Sequence, residues 1–439
     1  MTSGRGGARG VAFEVMRAIT GQGAYANLAL AEALATAGLE PRDAAQVTDI
    51  VAGTCRAMTS LDAVLEAAGG RPLKSLQPAV VDVLRLGAFE VFAARSPAHA
   101  VVNAYVELAR AVVAERATGV VNAILRRVST ASLDQWAVRI GGDDQEMVDA
   151  LATCHPRWIV DEYEVLLGRD EALVALAANN QPPVTTLAVI PGRGDVDEMV
   201  AAGAQLGRWS PYAVTVSGDP GRWAQVRDGE AVVQDEGSQL VCLALAGAES
   251  PPGDWLDPCA GPGGKTALLS GLRGADDGLM VASEIHEHRA RMVTLADVLM
   301  VADATQPAWP AGHFAKVMAD VPCTGLGALR RRPDARWRRQ QGDARDLHET
   351  QVRLLLGCID STMPGGLVAY VTCSPHRLET VDVVRDAMAQ RCVEPVAAPE
   401  LLPGVAHCES PTDARFVQLW PHRHGTDAMF LALLRVPPG

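Results

Sequence analysis

Cys323 and Cys373 stand in short proline-marked turns, Asp320-Val321-Pro322-Cys323 and Thr372-Cys373-Ser374-Pro375. Both lie downstream of a glycine loop, Asp257-Pro258-Cys259-Ala260-Gly261-Pro262-Gly263-Gly264-Lys265-Thr266. Carbon 5 of a cytosine ring is a poor nucleophile, and adding a thiolate to carbon 6 turns the ring into an enamine-like donor. A second group must later strip the proton from carbon 5 so that the first sulfur can leave. Two thiols beside one methyl-donor loop fit that division of labour. A free thiol titrates near about 8.5 and is only slightly ionised at neutral pH, so nearby cations would raise its reactivity. A lone cysteine is more often a small buried hydrophobe, and Cys55, Cys154, Cys242, Cys358, Cys392 and Cys408 read that way. Cys323 and Cys373 differ because each ends a predicted strand.

The glycine loop admits three readings. A phosphate-binding loop needs a glycine five residues before Gly264-Lys265-Thr266, and position 259 is Cys259. A dinucleotide fingerprint built on Gly261 and Gly263 requires glycine or alanine where the chain has Thr266. An S-adenosylmethionine loop remains, with Cys259, Ala260, Gly261, Pro262, Gly263, Gly264 and Lys265 as its candidate cradle. The acids downstream favour it. Glu284 is expected to end the next strand, where a carboxylate accepts from two ribose hydroxyls, and Asp303 is placed to meet the adenine amino group. The nineteen positions from Glu284 to Asp303 are short for a full helix and strand.

These loops need a scaffold. From Pro251 onward strand-like and helical stretches alternate, as a doubly wound parallel sheet requires. The predicted strands are 255–256, 279–283, 316–319, 366–371 and 428–434. The two Pro/Cys turns and the glycine loop would then share the sheet's carboxyl edge, where ligands bind in such folds. From Ala8 to about Thr130, Ala-rich stretches carry apolar residues at three- and four-residue spacing, with Pro41, Pro72, Pro78 and Pro97 between them, which predicts an all-α domain. Between the two lies a mixed stretch: a helix opened by His155-Pro156-Arg157-Trp158, a break at 179–183, a strand at 184–189, and an apolar helix after Gln239. The expected domains are residues 1–135, 136–250 and 251–439, with 1–10 a loose tail.

Net charge is −13, a poor overall match for a nucleic acid, so distribution matters more than the sum. The first 130 residues carry 13 Lys+Arg against 11 Asp+Glu. A sharper cluster, Arg330-Arg331-Arg332-Pro333-Asp334-Ala335-Arg336-Trp337-Arg338-Arg339, follows the first cysteine turn and offers guanidinium groups for phosphates and an aromatic face for a base. Nine cysteines without a Cys-x-x-Cys pair suit a reducing cytosol and argue against a zinc ribbon or a disulfide scaffold. No secretory or membrane-spanning run is evident, so a cytoplasmic monomer without bound metal is expected.

Two stretches of the helical region, Leu84-Arg85-Leu86-Gly87-Ala88-Phe89-Glu90 and Val121-Asn122-Ala123-Ile124-Leu125-Arg126-Arg127, resemble the NusB family of RNA-binding domains. With 257–266, 320–339, 370–375 and Trp420-Pro421-His422-Arg423-His424-Gly425-Thr426-Asp427, the chain resembles the RsmB (Sun/Fmu) family of ribosomal RNA cytosine-5 methyltransferases. The resemblance implies a NusB-like helical domain, a small α+β middle segment and a Rossmann-like catalytic domain using S-adenosylmethionine. It also implies Cys373 as nucleophile and Cys323 as the group assisting release. Asp320 would hold the donor's amino acid or the base's ring nitrogen, with Lys265 near donor and target, and small-subunit (16S) ribosomal RNA would be the partner. The loop departs from the family at Gly261, where many relatives carry alanine. After Cys373 the chain reads Ser374-Pro375-His376-Arg377-Leu378-Glu379-Thr380 where relatives often end in Glu-Glu-Asn. A transfer RNA cytosine-5 methyltransferase and a non-catalytic RNA-binding or ribosome-assembly factor are the competing readings.

Overall fold

The computed structural model describes residues 7–274 and 277–438. Its chain divides into two compact units. One runs to Gln181 and includes Leu329–Gln340; the other comprises Pro182–Ala328 and Gln341–Gly439.

The first unit is helical, with ten α-helices between Ala8 and Asn179 among the described residues. The expected tail is shorter than 1–10: Ala8–Gln22 is already helix, Arg9 pairs with Glu90 at 2.6 Å, and residues 1–6 lie outside the described residues. The long helix Pro41–Gly69 packs on Pro78–Ala93 and Thr118–Val128 through Val51, Leu61, Leu65, Leu84 and Leu125, all essentially inaccessible. Gly87 allows a close approach there, since a Cβ at that position would sit 2.7 Å from Leu125 Cδ1 and oblige that side chain to shift. Buried Asp82 is compensated by Arg17 at 2.6 Å, Thr20 Oγ1 at 2.8 Å and Arg85 at 3.2 Å.

The stretch expected as one middle domain, 136–250, is divided. Its helices up to Asn179 belong to the helical unit, where Trp136 and Cys154 join the common core; Trp136 Nε1 also donates to Val128 O at 3.0 Å. Burial of these apolar groups outweighs the composition change at Pro251, and the boundary falls in the predicted break at 179–183.

The second unit holds two sheets. Strands β1 (Thr185–Val189), β2 (Gln205–Leu206), β3 (Ala213–Val216) and β4 (Ala231–Val233) form an antiparallel sheet in the order β2-β3-β1-β4. The larger sheet comprises β5 (Trp255–Asp257), β6 (Met280–Glu284), β7 (Val298–Val301), β8 (Phe314–Asp320), β9 (Thr362–Thr372), β10 (Glu394–Val396), β11 (Val417–Gln418) and β12 (Phe430–Arg435). Its order is β10-β12-β9-β8-β5-β6-β7, with β11 beside β12. Strands β5 to β9 are parallel, and β12 joins β9 antiparallel.

The apolar runs in β8, β9 and β12 follow from burial on both faces. Met318, Leu367, Ala369, Val371, Leu431 and Leu433 enter one core. Their alternating neighbours Val317, Ala319, Val368, Tyr370, Phe430 and Leu434 enter another. The crossover from β6 to β7 holds only a one-turn helix, Glu287–Ala290, which accounts for the short Glu284–Asp303 spacing.

Candidate active site

Parallel strands end at one edge of the sheet, and that edge collects the chemistry. Asp257 ends β5, Glu284 ends β6, Asp320 ends β8 and Thr372 ends β9, while Asp303 lies two residues past β7. The glycine loop turns from β5 into the helix Gly264–Leu272. Gly263 has φ +104°, and a Cβ there would lie 3.0 Å from Val293 Cα, so an L side chain is disfavoured by conformation and by space. At Gly261 a Cβ would come within 2.3 Å of Glu284 Oε2. An alanine there would oblige that carboxylate to turn away.

Glu284 is buried, accepts from His286 N at 3.0 Å and lies 3.5 Å from Arg289. Asp303 accepts from Thr305 N at 2.9 Å and Thr305 Oγ1 at 2.8 Å, and these bonds hold its carboxyl below the usual range. Burial pushes the Asp257 carboxyl up to about 7 despite a 2.7 Å hydrogen bond from Thr266 Oγ1. Its Oδ1 has no partner among the described residues. Gln234, also buried and beside Gly264, likewise has neither amide atom partnered among them. Unpartnered buried polar atoms around a loop that needs glycine at 263 fit a polar, cation-bearing ligand such as a sulfonium methyl donor. Burial pushes the Cys259 thiol well up.

Lys265 Nζ donates to Asp320 Oδ2 at 2.7 Å. Burial alone would lower the Lys265 pKa, but the charge and hydrogen bond of Asp320 outweigh it and the net direction is upward. Cys373 adds to the same effect, an attraction that runs both ways.

The two cysteine turns meet: Cys323 Sγ and Cys373 Sγ are 3.4 Å apart, both half-buried. The Cys323 thiol is held well above its ordinary range, first by the hydrogen bond to Cys373, then by burial and by the charges of Cys373, Glu379 and Asp320. Either sulfur can be the donor in this contact.

The arginine run is placed otherwise. Residues 329–340 belong to the helical unit, and Arg336 is 1% exposed. Its guanidinium donates to Asn180 Oδ1 at 2.7 Å and to the carbonyls of Asn179 (2.8 Å), Cys154 (3.0 Å) and Arg56 (3.2 Å). Asn179 ends one helix and Cys154 caps another, so the buried cation sits at negative helix termini. Trp337 Nε1 donates to Cys55 O at 3.1 Å, and Arg338 pairs with Asp334 at 2.8 Å and reaches Gly23 O at 3.1 Å. The expectation that Arg336 contributes to an RNA surface is therefore corrected, because it is buried and donates to protein acceptors, while Trp337 and Arg338 are half-buried and also bond within the helical unit. Arg330 is also buried, Arg331 and Arg339 are half-buried, and Arg332 is exposed.

Sequence reasoning passed over Gln234, Thr324, Ser374 and Glu379. Thr324 and Ser374 directly follow the two cysteines, and Glu379 bonds to both. The glutamate in the segment after Cys373, where the family pattern changes, was the available signal.

This strand order and this cysteine-bearing edge define a methyltransferase of the doubly wound class. A family profile described as 16S rRNA methyltransferase RsmB/F matches residues 242–435, and the NusB family profile matches 7–130. The protein Rv1407 of Mycobacterium tuberculosis, provisionally named a methyltransferase, is 44% identical over 98% of this chain and 96% of its own. Ribosomal RNA small subunit methyltransferase B of Pasteurella multocida is 29% identical, covering 76% of this chain and 77% of that one. The crystal structure of PH0851 superposes with TM-score 0.79 at 18% identity over 97% of this chain and 98% of that one. NSun6 from Pyrococcus horikoshii, solved with SFG, gives 0.53 at 15% over 64% and 98%. The chain belongs to the RsmB/F family of 16S rRNA methyltransferases and carries a NusB-family head. Among the described residues no helix is long and apolar enough to cross a membrane, and no group of three His, Cys, Asp or Glu could hold a metal.

Proposed function

We propose that this protein methylates carbon 5 of a cytosine in 16S ribosomal RNA through a covalent bond between Cys373 and carbon 6 of the base. The observation carrying this reading is the 3.4 Å approach of two sulfurs, 50 residues apart in sequence, beside the Lys265–Asp320 pair. S-adenosylmethionine is the donor, and when bound it supplies an electrophilic methyl. Glu284, Asp303, Asp257 and the backbone of 259–265 would hold it.

Cys373 forms the carbon–sulfur bond as a thiolate, and the electron pair displaced from the ring makes carbon 5 nucleophilic. Before this step Cys323 is a thiol hydrogen-bonded to its neighbour. Once Cys373 is a neutral thioether, the largest cause that held the Cys323 proton, the hydrogen bond to Cys373, is gone together with the Cys373 charge, while burial remains. Cys323 then loses its proton to solvent and, as a thiolate, removes the proton from methylated carbon 5. The ring double bond reforms and the bond to Cys373 breaks, returning its thiolate. Asp320, fixed by Lys265, would accept a hydrogen bond from the base or from the donor's amino group. The target base must leave its stack to reach the pocket, and exposed Arg332 is available to an RNA phosphate.

The reading is tested with Cys323→Ala and Cys373→Ala and labelled ribosomal RNA. Cys323→Ala should accumulate a protein–RNA species that survives denaturing electrophoresis, and Cys373→Ala should bind donor but give neither adduct nor product. Adduct formation by Cys373→Ala would exchange the roles. Bisulfite sequencing that finds the new 5-methylcytosine only in transfer RNA would overturn the substrate.

A further inference from the structure

The two cysteine turns are joined by one carboxylate. Glu379 is wholly inaccessible, in a short 3-10 turn after Cys373. Its Oε1 accepts from Thr324 N at 2.7 Å and from Gln351 Nε2 at 3.2 Å. Its Oε2 accepts from Ser374 Oγ at 2.6 Å and from Thr324 Oγ1. Thr324 is the residue after Cys323, and Ser374 is the residue after Cys373. The Gln351 amide also donates to Pro322 O at 2.9 Å, so Cys323 is flanked on both sides by groups that answer to Glu379. Thr324 Oγ1 and Ser374 Oγ lie 3.2 Å apart, which closes the network. The turn bearing Glu379 is itself fixed, because buried Tyr370 donates its hydroxyl to Glu379 O at 2.8 Å.

A buried carboxylate is costly unless its lone pairs are filled, and here four donors from three separate segments fill them. That arrangement is poorly explained by stability alone, since an apolar contact would join two turns without burying a charge. It is explained by registry. Addition at carbon 6 and proton removal at carbon 5 act on adjacent atoms of one ring, so the sulfurs must keep a fixed separation.

We propose that Glu379 is a positioning residue that locks the Cys323 and Cys373 turns at their working distance. This rests on the two-cysteine reading above for its catalytic consequence, but the locking itself is a claim about geometry. The charge of Glu379 also contributes to keeping Cys323 protonated.

The test uses the full-length protein with Glu379→Ala and Glu379→Gln, each shown to be folded by its melting curve. Alanine removes all four bonds; glutamine keeps the acceptor facing Thr324 N and offers an amide to two hydroxyls that can rotate to accept. Glu379→Ala should lower kcat about 10²-fold with KM for RNA and donor affinity within about threefold, and Glu379→Gln should recover to within about tenfold of the parent. The second measurement needs no methylation. Diamide, itself reduced to a hydrazine, should oxidise the two thiols of the parent to a Cys323–Cys373 disulfide, detected as a cross-linked peptide. In Glu379→Ala this linkage should form at least tenfold more slowly. Equal rates of closure would overturn the locking role, and loss through KM or donor affinity alone would do the same. Slowed closure in an enzyme whose parent makes no 5-methylcytosine would uphold the lock and sink the proposed reaction instead.

Discussion

The cysteine edge and the arginine run lie close in sequence, both read as functional, and they part company in the fold. Between Cys323 and Arg336 are only twelve residues, yet one sits at the carboxyl edge of the sheet and the other belongs to the helical unit. At the cysteine edge, reactive groups are half-buried and face one another, and charge is paired around them. In the run, Arg336 has no carboxylate partner among the described residues and is held by carbonyl oxygens at helix ends. Burial pushes its pKa down to about 9, still far enough up for a guanidinium to remain charged at neutral pH. The contrast teaches that a basic run is ambiguous by composition. What decides is whether the fold supplies acceptors of its own.

The largest expected effect is at the cysteine edge. Asp320→Asn removes the charge that outweighs burial at Lys265, leaving an ammonium in a half-closed site with a neutral partner. Methyl transfer should fall about 10²- to 10³-fold. The sign of the pH effect follows from the shift. Lys265 is raised in the parent, so losing Asp320 lowers it, and the residual activity should decline at lower pH than the parent's does. A pH–rate profile parallel to the parent's would show that the Asp320 charge does not act through Lys265.

Arg336→Met sharpens the other side of the comparison. It leaves the Cys154 and Asn179 carbonyls without their donor in a closed interior, which should cost about 2–4 kcal/mol of stability. Below its melting transition the variant should keep kcat and the salt dependence of RNA binding. A phosphate-contacting arginine would behave in the opposite way, with unchanged stability and a shallower salt slope. Arg332→Met, at the exposed position, should give that second pattern.

How much of this was legible depends on how local the cause is. Strands β5, β6, β8, β9 and β12 were readable because burial on two faces writes an apolar run into the sequence itself. Strand β7 was not, since Val298, Leu299 and Val301 are 38%, 40% and 55% exposed and its crossover has shrunk to one helical turn. Cys323 and Cys373 could be placed at one edge because parallel strands share their carboxyl ends, a rule that needs no distances. Glu379 and Arg336 could not be assigned that way. The donors to Glu379 come from positions 324, 351 and 374, and the acceptors for Arg336 come from 56, 154, 179 and 180. In sequence, neither stands next to the residues that bond it.

Asp257 supplies the smallest effect and a probe of the donor loop. Its folded carboxyl titrates at about 7, above the roughly 3.9 of an unfolded chain, because burial disfavours the charged form. The folded state therefore holds the proton more tightly than the unfolded state. It follows that this group's contribution to stability is fully present below about pH 4 and is lost as pH rises towards 7. Asp257→Asn keeps an acceptor for Thr266 Oγ1 and has nothing to ionise, so it should be the more stable protein at pH 8, by about 1–3 kcal/mol, with the difference shrinking towards pH 4. Melting curves across that range check the sign. A parent whose stability climbs relative to Asp257→Asn between pH 5 and 8 would mean that the carboxylate is satisfied as an anion, and Asp257 would no longer distinguish the donor loop from the rest of the sheet edge.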